Sequence, residues 1–493
     1  MNLTTDPWIP AIRPDGSRAL FSLQDLFAQA DQLRDLAAKP HERIALMRLL
    51  ICITQAALDG PADEDAWAGC EPRIQSAVHD YLTRHTASFE LFGDGPRFLQ
   101  VPGLLPAKID TEGNAATKLD LALASGNNST LFDNDAGSDR SVPPDRAALN
   151  LLTFQCFSPG GTIGVAQWQR RETPGGGFSK HAPCTPKSMI HTLILGPCLL
   201  NIIHRNLLTR ELVLDDYPAG WGKPLWELPV ESATAAGAIA NATTTYLGRL
   251  LPIPRAIRID QAGRSMVLAN GLSYASFPPF REATATIIQR KEEFDLLPAS
   301  TARSLWRQLS PITVRRRAGT DQQAGPLALK HPLPGDSIGL WIGAVVMDKK
   351  KAGKILDVVE GTYTIPSTLF TEFGRLAYEA GVKHAEEVEG ALIKTVREWA
   401  DDLKIDKPPT DRAGYYFWTA VEQSLASLFQ AARDMTPPDR FPLSPWGLAV
   451  RKAALGAYDH ACPHQTARQI QTYTKGLQIL HAAFKPKNSN TTK

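Results

Sequence analysis

The chain has 493 residues, more than one hydrophobic core usually carries, so a single small module is excluded and two or more domains are expected. An apolar fraction of 43% with 21% charged residues excludes a chain disordered throughout and a collagen-like repeat. Lys and Arg number 53 against 51 Asp and Glu, a net charge of +2, so any binding of polyanions must come from local clusters and not from a global field.

Residues 1–10 carry Asp6 and two prolines in place of a basic region and an apolar run, which is not the pattern of a signal peptide. The segment Pro40–Leu58 is expected to be a buried helix. Proline suits its first turn, Gly60-Pro61 stops it, and Ile44, Leu46, Met47, Leu49, Leu50, Ile51 and Ile53 surround almost the whole cylinder. From about 89 to 271 the punctuation changes to Gly126-Asn127-Asn128, Pro143-Pro144, Ser158-Pro159-Gly160-Gly161 and Gly175-Gly176-Gly177, the texture of loop-rich, mixed α/β structure. Alternation at 256–259 and 284–288 predicts strands. The most apolar stretch, 190–203, is interrupted by His191, Gly196, Pro197 and Asn201 and is too short to span a bilayer. The six cysteines lie far apart with no C-x-x-C pair, which fits buried thiols in a reducing cytoplasm.

Beyond residue 366 glycine thins out and helical periodicity follows at 367–379, 385–403, 415–433, 445–460 and 466–484. Ser367 and Ser444 are expected N-caps, the latter with Pro445 at the first helical position, and Pro408-Pro409 and Pro437-Pro438 mark connections. Such helices with short connections pack antiparallel. The expectation is an α+β chain: a large mixed α/β domain over 1–365, an all-α C-terminal four-helix bundle over 366–485, and a frayed polar tail at 486–493.

The catalytic signal is negative. No H-E-x-x-H, G-x-S-x-G, P-loop or dinucleotide fingerprint occurs, and Asp459-His460-Ala461-Cys462-Pro463-His464 lacks the second half of a metal site, so it reads as a helix-end loop. The most informative short stretch is Phe157-Ser158-Pro159-Gly160-Gly161-Thr162-Ile163-Gly164. Its glycines let a backbone approach a ligand with no Cβ in the way, though an ordinary turn has the same composition. Basic clusters at Arg170-Arg171, Arg290-Lys291, Arg315-Arg316-Arg317 and Lys349-Lys350-Lys351 are either solvated faces or phosphate contacts. Phe132, set among Thr130, Asp133, Asn134 and Asp135, is either a base-stacking platform or a buried pin for its loop. A standalone metal-dependent nucleic-acid enzyme is the alternative class.

Three further segments carry a resemblance: the opening Asn2-Leu3-Thr4-Thr5-Asp6-Pro7-Trp8-Ile9-Pro10, Phe21-Ser22-Leu23-Gln24-Asp25-Leu26-Phe27, and Glu42-Arg43-Ile44-Ala45-Leu46. Together with Leu131-Phe132-Asp133-Asn134, Ser158-Pro159-Gly160-Gly161, Arg303-Ser304-Leu305-Trp306-Arg307 and Tyr416-Phe417-Trp418, they make the whole chain resemble the CasA family, the large subunit of the type I-E CRISPR surveillance complex Cascade. The resemblance implies a non-catalytic protein without cofactor or membrane contact. Its implied partners are guide CRISPR RNA, double-stranded target DNA, the other Cascade subunits and a helicase-nuclease. It implies that Ser158, Pro159, Gly160 and Gly161, with Thr162 adjoining, read a short motif in the minor groove, and that Arg290 or Lys291 stands where the family has a lysine finger. Phe132, Asp133 and Asn134 fall on the loop that meets the guide RNA and a neighbouring subunit. The family's strand-separating wedge falls on Lys349, Lys350 and Lys351, where this sequence has no glutamine, and the cysteine pairs some members use for zinc are missing, so no metal is carried over.

Overall fold

Proline at the first helical position and an acidic residue two places later start the helix Pro40–Leu58: the Glu42 carboxylate accepts from the backbone N–H of Lys39 at 3.0 Å. The helix stops at Asp59, in the left-handed region at φ 50°, and every residue from His41 to Gln55 is buried. An apolar surface on all sides needs cover on all sides, and helices Ile74–Arg84, Pro144–Phe157, Leu199–Arg205 and Tyr246–Leu250 supply it. The computed structural model describes residues 1–484 except 108–112, 124–139, 159–162, 176–187, 215, 218, 276–281, 291–292, 316–323, 334 and 349–353; the expected tail lies outside the described residues.

The chain divides into two compact units. The first comprises Met1–Trp306, Arg315–Pro332 and Gly339–Tyr363, and the second Arg307–Val314, Leu333–Ile338 and the chain from Thr364 onward. The first unit also holds small antiparallel sheets. Arg255–Ile259 pairs with Ser265–Asn270, which also pairs with Asn114–Ala115. Ala166–Trp168 pairs with Leu105–Pro106 on one side and Arg171–Glu172 on the other. His191–Ile194 pairs with the strand Ser337–Met347 through Leu340 to Gly343. The expected strand at 284–288 is displaced: Ala285 N–H closes a turn onto Glu282 C=O at 3.0 Å, and the strand proper is Ile287–Arg290, paired with Glu293–Leu296. The strand at 256–259 is present, one residue longer, as Arg255–Ile259.

From Thr364 onward the described residues of the second unit form five α-helices, Glu372–Leu403, Thr410–Glu422, Leu425–Arg433, Pro445–Ala461 and Ala467–Ala483. The segments expected at 367–379 and 385–403 are one 32-residue helix. Its Gly381 is a packing glycine, since a Cβ there would stand 2.4 Å from Leu428 Cδ1 and 2.8 Å from Phe441 Cε1, and its carbonyl accepts from Trp446 Nε1 at 2.8 Å. The helix starts at Thr371, whose hydroxyl accepts from Gly374 N–H at 3.2 Å, while Ser367 lies in a preceding 3-10 turn and caps nothing. The segment expected at 415–433 begins earlier, at Thr410, and breaks between Glu422 and Leu425. Ser444 is an N-cap as expected, accepting from Gly447 N–H at 3.1 Å with Pro445 behind it. Among the described residues no helix is long and apolar enough to cross a membrane.

Candidate nucleic-acid interface

The glycine loop leaves the end of the helix Pro144–Phe157, whose residues from Ala147 onward are all buried, so the loop's first residue is fixed by the core. That residue, Ser158, is itself buried. Its backbone N–H donates to Phe154 C=O at 2.6 Å, and its hydroxyl accepts from Arg255 Nε at 3.2 Å. Arg255 has no exposed surface. Its Nη1 donates to Asn270 Oδ1 at 2.6 Å, and its carbonyl accepts from Gln155 Nε2 at 2.9 Å. Asn270 Nδ2 then donates to Pro174 C=O at 2.7 Å. A buried guanidinium is tolerated only when its donors are met by well-placed acceptors. Here one acceptor is Ser158, which begins the segment 158–174, and another is Asn270, which in turn donates to Pro174 at its end, so one arginine and one asparagine tie both ends of that segment to the sheet.

Of the residues singled out by sequence, Ser158 is thus an anchor. Pro159, Gly160, Gly161 and Thr162 lie outside the described residues. Arg290 ends the strand Ile287–Arg290, opposite Glu293 in register, and Lys291 is outside the described residues. Lys349, Lys350 and Lys351 are also outside them; the two ends of their loop meet where Asp348 N–H donates to Lys354 C=O at 2.8 Å. Phe132, Asp133 and Asn134 are likewise outside. Arg255, Asn270 and Gln155 were not picked out from the sequence. The one signal was a charged residue opening a strand directly after Pro252-Ile253-Pro254.

A second polar cluster, also unforeseen, lies in the core of the first unit. Arg48, in the middle of the apolar helix Pro40–Leu58, donates from Nη1 to Glu282 Oε2 at 2.5 Å, from Nε to Leu250 C=O at 2.8 Å and from Nη2 to Arg249 C=O at 2.9 Å. Arg249 Nε reaches the other Glu282 oxygen at 3.3 Å. Burial pushes the Glu282 carboxyl up, but Arg48 and Arg249 outweigh it and hold the group below its ordinary value. His191 stands at the same small cavity, of about 20 Å³, which is room for one water molecule. Each charge in this cluster is spent on another buried group, and the cavity has no room for a substrate.

Among the described residues no group of three or more His, Cys, Asp and Glu side chains stands close enough to hold a metal ion. In the segment 459–464, the His464 ring stacks on Tyr473 at 4.2 Å, Asp459 accepts from the Tyr473 hydroxyl at 3.1 Å, and the Cys462 thiol is buried and pushed up to about 12 by that burial. The five described cysteines are all free.

Comparison with known proteins gives one consistent result. The family model described as CRISPR-associated protein Cse1 matches residues 2–457. A curated relative, CRISPR-associated protein CasA/Cse1 of Thermus thermophilus, is 29% identical, covering 97% of this chain and 95% of its own. The crystal structure of Thermobifida fusca Cse1 superposes with a TM-score of 0.75 at 18% identity, covering 98% of both chains. A chain of a structure titled CRISPR RNA-guided surveillance complex superposes with a TM-score of 0.72 at 16% identity, covering 98% of this chain and 99% of that one. Both have the fold seen here, a mixed α+β N-terminal region followed by an all-helical C-terminal one.

Proposed function

The chain belongs to the CRISPR-associated protein Cse1 (CasA) family, and from that premise we propose that it is the non-catalytic large subunit of a type I-E CRISPR RNA-guided surveillance complex. In this role it inspects duplex DNA for a short protospacer-adjacent motif, promotes strand opening beside the motif, and helps recruit the helicase-nuclease. Sequence beyond the motif is read by guide pairing, a division of labour general to RNA-guided effectors. The observation that carries the reading is the family match across residues 2–457. The anchoring of Ser158 supports it further, because a backbone that reads a groove must be held in place, and glycine has no side chain with which to hold it.

In this reading Ser158, buried and bonded to Arg255, anchors the loop and does not itself meet the DNA, while Pro159, Gly160 and Gly161, with Thr162, face the minor groove, and Arg290 or Lys291 enters beside them. Lys349, Lys350 and Lys351 grip the separated backbones as charges, without a glutamine wedge. Phe132, Asp133 and Asn134 join the subunit to guide RNA and its neighbour.

The test uses the complex reconstituted with guide RNA and a duplex library of randomised motifs. The parent is expected to select a subset of motifs. Gly160→Asp and Gly161→Asp are expected to assemble normally and to bind the selected duplex at least about tenfold more weakly, since each adds a side chain and a negative charge against a phosphate-lined groove. Selection of no motif by the parent, or full affinity in both variants, refutes the reading. Degradation of plasmid DNA by the isolated protein with magnesium or manganese refutes its non-catalytic part.

A further inference from the structure

The segment tied down at Ser158 and Pro174 carries a two-residue β-hairpin whose tip is strained and cationic. Its strands, Ala166–Trp168 and Arg171–Glu172, close with Trp168 opposite Arg171, leaving Gln169 and Arg170 as the loop. Both loop residues have positive φ, 50° and 65°, the signature of a type I′ turn that Asn-Gly would adopt far more readily. L-residues with long side chains are held in that region only when the surroundings impose it. The surroundings here are visible. Ala166 and Trp168 are buried in a cluster with Leu104, Ala256, Ala269 and Tyr274, and Ala166 and Thr173 hydrogen-bond each other through Ala166 N–H to Thr173 Oγ1, 3.0 Å, and Thr173 N–H to Ala166 C=O, 2.8 Å. The Arg255 and Asn270 network fixes both ends.

What this arrangement displays is Gln169, Arg170 and Arg171, all exposed, beside one acidic neighbour, Glu172. Among the described residues neither guanidinium of the Arg170-Arg171 pair has a hydrogen bond or ion pair. Two uncompensated guanidiniums on a rigid, immobilised tip are pre-organised for phosphate, since little side-chain and backbone freedom remains to be lost on binding. We infer that the Arg170-Arg171 pair at the tip of this hairpin is a phosphate clamp for duplex DNA, gripping the backbone of the same duplex that the adjoining glycine loop reads, with Gln169 only completing the turn that carries it. The inference rests on the function proposed above and adds to it a sequence-independent contact. Phosphate contacts fix register and carry no base information.

The experiment measures the affinity of the reconstituted complex over a range of salt for two duplexes, one selected by the parent from the randomised library and one rejected. Arg170→Glu/Arg171→Glu is expected to weaken binding of both by the same factor and to flatten the slope of log K against log salt by about one per arginine. Arg170→Gln/Arg171→Gln is expected to flatten the slope equally with a smaller fall in affinity. Gln169→Gly, which keeps the charges and suits the positive φ, is expected to raise the melting temperature and leave both affinities unchanged. An unchanged salt slope in the double variants overturns the clamp. So does a loss confined to the selected duplex, which would make the tip a motif reader, a loss of guide-RNA affinity with DNA binding intact, or a loss in Gln169→Gly as large as that of the charge reversal. Failure of the parent to discriminate between motifs strikes instead at the function on which the clamp rests, and the parent and variant slopes are read separately from that outcome.

Discussion

Glu282→Ala is expected to destabilise the first unit by about 3–5 kcal/mol, a large share of the roughly 5–15 kcal/mol that holds a typical domain together. The carboxylate is 2% exposed and is flanked by two guanidiniums that are 4% and 3% exposed. Removing it leaves Arg48 and Arg249 as buried like charges with no counter-ion, and arginine cannot shed its proton to escape. Glu282→Gln keeps the shape and one acceptor for Arg48 and should fall between alanine and the parent. Replacement of Arg48, Arg249 and Glu282 together by Met, Met and Leu should recover much of the loss, because apolar residues of similar volume leave no buried charge without a counter-ion. Since the two units need not unfold together, hydrogen exchange of amides in the helix Pro40–Leu58 is the appropriate measure. Protection within about 1 kcal/mol of the parent in Glu282→Ala would show that the cluster contributes little.

That cluster also marks where the sequence stopped being readable. The helix Pro40–Leu58 was legible because its punctuation is local: a proline at one end, Gly60-Pro61 at the other, and apolar residues all round. Arg48 inside it was the sign of a distant partner, but Glu282 lies 234 positions away, and no local rule says which carboxylate will meet it. Ser444 followed by Pro445 was legible for the same local reason. Gly381 lies in the gap left between the expected segments 367–379 and 385–403, and glycine in a helix normally weakens it; its reason for being there is contact with Leu428 and Phe441, which only the packed unit reveals. The candidate site repeats the pattern. The run Ser158-Pro159-Gly160-Gly161 announces a special backbone, but the residues that hold it, Arg255 and Asn270, are about a hundred positions away and look in sequence like ordinary members of two strands.

Acidification tests the same core from another side. His191 is buried, with Nδ1 2.9 Å from Thr284 Oγ1, and burial pushes it down to about 3, with Glu282 opposing and Arg48 adding to the shift. His331 is stacked on Trp67 at a centroid distance of 4.1 Å, with Nε2 3.0 Å from Leu207 C=O. Burial pushes it down to about 4, opposed by that backbone hydrogen bond and helped by His204. Both rings are therefore neutral in the folded protein, whereas in the unfolded chain each titrates near 6.5. As pH falls below 6.5 the unfolded state binds protons that the folded state refuses, so stability is full above that value and is lost progressively down to about 4 for His331 and about 3 for His191. By about pH 5 each ring accounts for roughly 2 kcal/mol of lost stability. Glu282, held below its ordinary value, begins to contribute in the same direction only at lower pH. Denaturation midpoints of the first unit are expected to fall steeply between about pH 7 and pH 5, and His331→Gln, which cannot protonate, should be less stable at neutral pH yet lose less on acidification. A profile flat across that range, or a slope unchanged in His331→Gln, would mean that these rings titrate in the folded state as they do in water and that the core admits solvent to them.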